Sequence, residues 1–178
     1  MADDDFGADS STATGLAAAG RTRVFNAVAD VAEGATAVLD VLTDLGNTRI
    51  RSLVTRTTSP VAFSSARSAA QREVLRPFFI YNSAALMPGG STQPANFSEL
   101  DLSLNRNADQ VLAAISAIVT QIGKTGGGIN QFINQFEADL ADDGSLNNSP
   151  MFAVAVTTQI NSAAKTIDWA KVAANLNT

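Results

Sequence analysis

The amino-acid sequence predicts an all-α fold, because apolar residues recur at alternating three- and four-residue spacing along most of the 178-residue chain. Proline and glycine interrupt these segments at positions typical of helix ends. Helices that are each apolar on one face bury those faces most simply in a helical bundle. The length suits one domain with its own core.

The N-terminal part of the chain predicts an arm followed by a long helix. Residues 1–20 are polar and small, which is typical of a flexible arm. Residues 22–45 place apolar side chains on one helical face and predict the clearest helix of the chain. Gly46 follows, where a glycine often ends a helix in a left-handed conformation.

A second helix is predicted over residues 61–76. The pair Ser59-Pro60 suits its start and Pro77 suits its end. The aromatic run Phe78–Tyr81 predicts a short strand or a buried turn. Residues 87–99 contain two prolines and two glycines and predict a loop.

Three more helices are predicted in the C-terminal half. Residues 105–122 carry a continuous apolar face, and Gly123 is expected to end that helix. Residues 129–141 repeat the helical spacing. The pair Ser149-Pro150 is typical of a helix start and predicts a last helix over residues 150–174.

Composition excludes several classes of site. The chain has no cysteine and no histidine, so it has no thiolate nucleophile, no disulfide and no Cys or His metal ligand. We expect no enzyme activity, no cofactor, no metal and no small-molecule substrate. Chemistry with Asp, Glu, Lys or Ser alone needs no histidine, but no spaced pair of them stands out. The sequence predicts neither a secretory signal nor a membrane-spanning helix.

Charge is scarce and unevenly placed. Charged residues make up 16% of the chain, below the roughly 25% of an average soluble domain, and such a surface is easily covered in an assembly. The net charge is −5, yet residues 46–106 hold seven arginines and three acidic residues. This segment can bind an anion locally. The alternative is that its arginines are solvated helix faces.

Arg49, Arg51 and Arg106 are the candidates for phosphate contacts. The first two follow the first predicted helix, and Arg106 begins a later one. Arginines near the free backbone N–H groups of helix ends suit phosphate. Because the few aromatic residues do not interleave with these arginines, the pattern indicates contact with a nucleic-acid backbone and no base stacking.

An acidic cluster follows the helix predicted over residues 129–141. It lacks the ligand spacing and central glycine of a calcium loop. One interpretation is a solvated helix end. The other is that these carboxylates face carboxylates of another subunit and make assembly sensitive to pH. The cluster consists of Glu137, Asp139, Asp142 and Asp143.

Three segments resemble the coat proteins of rod-shaped, helical, positive-strand RNA plant viruses, the tobamovirus-like group. The segment 105–118 resembles the start of that family's last bundle helix, where an arginine meets RNA phosphate and an aspartate lies close by. The segment 126–140 is similar to its Phe-Glu motif. Thr48–Arg51 resembles its Thr-Arg-x-Arg phosphate-binding segment. In a second register, residues 66–76 resemble an earlier helix of the family.

The resemblance implies an antiparallel four-helix bundle over residues 21–144, with an extra C-terminal helical extension over 145–178 and a flexible arm over 1–20. It implies a structural capsid protein that polymerises into a helical rod or filament around single-stranded RNA. The protein would then be found in the virion and in the host cell cytoplasm, without membrane contact.

The same resemblance, together with spacing, assigns roles to individual residues. Arg49, Arg51 and Arg106 contact phosphate, with Asp109 beside them. The four carboxylates of the acidic cluster lie between subunits. Apolar lateral contact is expected from Phe132, Phe136 and Phe152. The alternative function is a protein-only filament or adaptor bundle without nucleic acid.

Overall fold

The computed structural model describes residues 15–18, 21–29, 38–80, 96–103, 106–125, 128–147 and 150–176. Within these ranges the fold is mainly helical, which confirms the predicted class. Six α-helices are present: α1 (Val41–Val54), α2 (Phe63–Leu75), α3 (Asn107–Thr125), α4 (Ile129–Asp143), α5 (Pro150–Thr166) and α6 (Trp169–Leu176). Two 3₁₀ turns, Arg76–Phe78 and Phe97–Glu99, lie between α2 and α3.

A short β-hairpin lies in and just after the segment predicted as a flexible arm. Strand β1 (Gly15–Ala18) pairs antiparallel with strand β2 (Arg21–Arg23), and Gly15 lies opposite Arg23. The end of the predicted arm therefore has regular structure. Residues 1–14 and 19–20 are outside the described ranges.

The helix predicted over residues 22–45 is wrong. Residues 24–29 have no regular structure, and α1 begins only at Val41, while residues 30–37 lie outside the described ranges. The start is set by a capping box: the Asp40 carboxylate accepts the backbone N–H groups of Leu42 and Thr43, each at 2.8 Å, and Thr43 Oγ1 accepts the N–H of Asp40 at 2.9 Å. Capping, more than apolar spacing, decides where this helix starts.

Gly46 does not end a helix, as predicted, but lies inside α1. A Cβ atom built on it would be 3.7 Å from Val74 Cγ2 of α2, an ordinary van der Waals distance. Helix α1 therefore continues through the Thr48–Arg51 segment, which was expected to follow a helix.

Helix α2 matches its prediction closely, but its ends differ. Ala62 is the N-cap without a side-chain hydrogen bond, and Ser59 lies in the preceding loop. Pro77 falls in the 3₁₀ turn after α2. The aromatic run is a turn, with Phe78 buried and Phe79 exposed in a left-handed conformation at φ 63°. Residues 81–95, most of the predicted loop, are outside the described ranges.

The C-terminal helices depart from their predictions at two points. Gly123 does not end α3, which continues to Thr125; a Cβ on Gly123 would be 3.0 Å from the Ile129 Cβ, so the glycine permits close approach of α4. The helix predicted over residues 150–174 is broken at Asp168, whose carboxylate accepts the N–H of Lys171 at 3.1 Å as α6 begins.

One main core joins the helices. Helix α1 packs against α2 and α4, and α3 packs against α4, α5 and α6. Burial of each large apolar side chain contributes about 1.5–3 kcal/mol. The largest fully buried side chains are Phe136, Leu42, Leu45, Leu75, Ile115, Ile122, Ile133, Leu140, Val74, Val119 and Val156. A second, smaller cluster between α1 and α2 consists of Ile50, Leu53, Ala66 and Ala70.

Helix α4 ends at Gly144, which adopts φ 82° and donates its N–H to the Leu140 carbonyl at 3.0 Å. This is the left-handed position at which glycine is favoured. A Cβ atom at Gly144 would overlap the carboxylate of Glu73. Both the backbone conformation and the neighbouring side chain therefore require glycine here.

Alanine substitution should affect stability differently at Gly46 and at Gly144. We expect Gly46→Ala to leave the free energy of unfolding unchanged or to raise it by up to about 1 kcal/mol, because alanine suits a helix interior. Gly144→Ala should lower it by about 2 kcal/mol or more through backbone strain and the displaced Glu73 carboxylate. Urea unfolding of both variants measures this, and a destabilised Gly46→Ala would contradict the placement of Gly46 inside α1.

Candidate functional site

Arg49 lies in the middle of α1 and is only 4% exposed. Its Nε donates to Glu73 Oε2 at 2.7 Å and its Nη2 donates to Glu73 Oε1 at 3.2 Å. This two-point ion pair joins α1 to α2, and the planar guanidinium matches the planar carboxylate. Charges buried to this extent need a complete set of partners.

The remaining donors of Arg49 bind the end of α4. Its Nη1 donates to the carbonyl oxygens of Ala141 at 3.2 Å and Asp142 at 3.0 Å. Arg56 also donates to the Asp142 carbonyl, at 3.1 Å. The last carbonyls of a helix have no partner within it and favour a nearby cation. The donors of Arg49 are therefore occupied by partners inside the protein, and the prediction that Arg49 contacts phosphate is wrong.

Arg51 differs from Arg49 in its surroundings although both lie on α1. It is exposed, and its Nε donates to Asn47 Oδ1 one turn earlier at 3.0 Å. Two residues along a helix turn the side chain through about 200°, so the segment points one arginine inward and the other outward. Arg51 keeps donors that an external anion can reach.

Arg106 immediately precedes α3 and is held by Asp109 in the first turn. Its Nε donates to Asp109 Oδ2 at 2.7 Å and its Nη2 to Oδ1 at 3.0 Å. Asp109 also accepts the backbone N–H of Arg106 at 3.0 Å and of Asp101 at 2.8 Å. The Asp109 side chain is fully buried and that of Arg106 is half exposed. The structure thus brings together the arginine and aspartate that the resemblance pairs.

The charge of Arg106 is largely balanced within its own chain. The Arg106 side chain, followed by the two backbone N–H groups, holds the pKa of Asp109 at about 2, well below its ordinary 3.8. The same pairing raises the pKa of Arg106, and the carboxylates of Asp101 and Glu99 contribute. A phosphate approaching Arg106 would meet three acidic groups around one guanidinium, which opposes binding.

The acidic cluster is divided by the fold. Asp139 is buried, so it does not lie on the surface where another subunit would meet it, and Glu137 is partly buried. Asp142 and Asp143 are exposed at the end of α4. Hydrogen bonds from Asn147 and Ser145 lower the pKa of Asp143. Only these two exposed carboxylates keep the geometry expected for contact between subunits, and the described residues contain no metal-binding cluster.

The phenylalanines predicted to contact other subunits are core residues instead. The Phe132 and Phe136 rings are 5.9 Å apart, Phe136 lies 6.1 Å from Phe78, and all three are buried. The side chain of Phe152 is outside the described part of the structure. The large apolar side chains that are exposed are Val24, Phe79, Leu102, Val154 and Trp169.

Two arginines, Arg72 in α2 and Arg76 at its C-cap, form an exposed cationic surface that was not among the predicted phosphate contacts. Arg72 and Arg76 are exposed and four residues apart, so they lie on one face of the helix. That face also carries Ser65 and Ser68 and no acidic residue. In the described part of the chain, neither guanidinium has a hydrogen bond or an ion pair. Their spacing and the charge of the neighbouring face were signals in the sequence.

Comparisons with known proteins found no match to this chain among protein-family models, curated proteins or solved structures. Among the described residues, no helix combines the length and hydropathy needed to cross a membrane. The exposed arginines with donors that a ligand can reach are Arg51 on α1, Arg72 on α2 and Arg76 at the end of α2. Guanidinium groups without carboxylate partners bind phosphate through charge and paired N–H donors.

Acid titration should reveal the buried carboxylate of Asp109. Because its pKa in the folded protein is below 3.8, the carboxylate stabilises the fold at neutral pH, and this contribution is lost as the pH falls from about 4 to about 2. We expect Asp109→Asn to lower the free energy of unfolding at pH 7 by about 1 kcal/mol, allowing for screening around the half-exposed Arg106, and to remove that pH dependence.

The measurement is denaturant unfolding of the wild type and the variant between pH 2 and pH 7, with Asp142→Asn as a control at an exposed carboxylate of another helix. Burial raises the pKa of Asp40 to about 6. Asp40 therefore titrates at higher pH in every variant and cancels in the comparison. Parallel pH profiles for wild type and Asp109→Asn would show that Asp109 does not act in this way.

Proposed function

We propose that this chain is a structural subunit that polymerises around single-stranded RNA, as in the coat proteins it resembles. The observation that carries the proposal is the acid-free face at the end of α2, where Arg72 and the C-cap residue Arg76 are exposed and have no partner among the described residues, in a chain of net charge −5. Because no carboxylate of the described residues pairs with these two guanidinium groups, they can attract phosphate. Arg51 supplies a further exposed cation.

The assignment of phosphate contacts changes accordingly. Arg72, Arg76 and Arg51 are the proposed contacts, Arg106 is a secondary one because Asp109 already balances it, and Arg49 holds the fold. Contacts of this kind follow the backbone of the nucleic acid and carry no sequence information.

Contacts between subunits are proposed for the exposed apolar side chains. Val154 and Trp169 lie on α5 and α6, and Trp169 is fixed by a hydrogen bond from its Nε1 to the Ala164 carbonyl at 2.9 Å. Exposed apolar groups favour burial between molecules. The exposed carboxylates Asp142 and Asp143 are proposed to oppose close contact and so to make assembly reversible.

We further propose that α1 to α4 form the antiparallel four-helix bundle of that family, with α5 and α6 added to it. The packing of α1 on α2 and α4, and of α3 on α4, supports this arrangement. The proposed location is the virion and the host cell cytoplasm.

The first test is negative-stain microscopy of the purified protein, with absorbance at 260 and 280 nm before and after ribonuclease. The proposal expects rods or filaments that contain nuclease-protected RNA. Filaments without RNA would favour a protein-only polymer, because the exposed apolar groups serve either kind of assembly. A stable monomer that binds no RNA would contradict both.

Charge removal on α2 should weaken RNA binding. We expect Arg72→Gln/Arg76→Gln to lower the affinity for single-stranded RNA about tenfold and to reduce the slope of log K against log salt by about 1.4, since each phosphate contact contributes roughly 0.7. The measurement is fluorescence anisotropy over a series of salt concentrations.

The matched control is Lys165→Gln/Lys171→Gln, which removes the same charge from exposed positions on α5 and α6. It should change the salt slope little. Equal losses in the two double variants would show that RNA responds only to net charge, and the proposed contact face would then be wrong.

A further inference from the structure

The turn after α2 has the hydrogen bonds of a Schellman motif. The N–H of Ile80 donates to the Leu75 carbonyl at 3.2 Å, and the N–H of Phe79 donates to the Arg76 carbonyl at 2.9 Å. Phe79 occupies the left-handed position of this motif at φ 63°. Glycine is the usual residue there because a Cβ atom is crowded against the backbone in this conformation.

The phenylalanine does not recover this cost through burial. Its side chain is 50% exposed, while its neighbour Phe78 is buried against Phe136. Among the described residues other than glycine, only Phe79 has a positive φ. Strain that persists without a packing gain is a reason to look for function.

The backbone of Phe79 lies close to Arg76 at the end of the acid-free cationic face of α2. The hydrogen bond between Phe79 and Arg76 closes a turn, which brings the Cα atoms of those two residues within about 7 Å. Arg72 lies one helical turn before Arg76 on the same face. The exposed residues Arg72, Arg76 and Phe79 thus follow one another along the last turn of α2 and the turn after it, and neither guanidinium has a partner among the described residues.

This combination fits the two chemical parts of a nucleotide. Phosphates bind guanidinium groups, and a nucleobase of any identity stacks on an aromatic face. A purely apolar partner would leave the two arginines without ligands, and a simple anion would leave the ring without one.

We propose that Phe79 is a stacking platform for one unpaired nucleobase of single-stranded RNA, whose neighbouring phosphates are bound by Arg72 and Arg76. The inference rests on the proposed RNA-binding function and adds a base contact that the sequence pattern did not indicate. The contact is independent of base identity, because every base presents a π face.

The test compares Phe79→Gly with Phe79→Tyr. Glycine removes the ring and relieves the backbone, so the thermal midpoint should not fall, whereas affinity for a fluorescein-labelled oligouridylate of about ten nucleotides should drop roughly tenfold. Tyrosine retains a ring and should bind like the wild type. A lower thermal midpoint with unchanged affinity would show that Phe79 is structural and would overturn the proposal.

An oligonucleotide that contains abasic residues separates stacking from charge. The wild type should bind it roughly tenfold more weakly than the intact oligomer, while Phe79→Gly should bind both equally. Equal binding of the two oligomers by the wild type would overturn the stacking contact and leave RNA binding intact if Arg72→Gln/Arg76→Gln still weakens it. A wild type that binds neither oligomer would overturn the proposed function and this inference together.

Discussion

The buried ion pair of Arg49 and Glu73 is the interaction on which the arrangement of the helices depends. It joins α1 to α2, and the same guanidinium binds the last carbonyls of α4 through Ala141 and Asp142. Removal of one partner from a buried pair typically costs 3–5 kcal/mol, since the other charge is left unpaired. Gly144 belongs to the same unit, because a side chain there would displace the Glu73 carboxylate.

Helix α2 has two faces, one packed in the protein and one exposed to solvent. The small residues Ala66 and Ala70 face α1 and permit close packing, and Val74 joins the main core. Glu73 lies between the two faces and forms the ion pair with Arg49. The opposite face, with Arg72 and Arg76, takes no part in the packing and is available to a ligand. One helix therefore holds the fold on one side and presents charge on the other.

The sequence predicted α3 and α4 well, because long apolar stripes report local structure directly, although Gly123 lies inside α3 and does not end it. It could not separate Arg49 from Arg51, since both lie in the same helix and the partners of Arg49 are 24, 92 and 93 residues away along the chain. The spacing of Phe132 and Phe136 indicated an apolar helix face, but it did not show whether the same chain or another subunit covers that face. The capping box of Asp40 and Thr43 involves neighbouring residues, so the sequence contained the signal for the start of α1. The apolar spacing of residues 22–39 predicted an earlier start.

An acidic chain that binds RNA needs its charges arranged so that attraction is local. At Arg106, three acidic groups surround one guanidinium, so phosphate gains little there. Among the described residues no carboxylate pairs with Arg72 or Arg76, but under the proposed function two or three phosphate contacts per subunit give only modest affinity at physiological salt. Stable packaging then requires many subunits acting on one strand, because each bound neighbour raises the effective concentration of the next contact. Weak individual sites joined by exposed apolar contacts would make a particle that is stable as a polymer and can dissociate one subunit at a time.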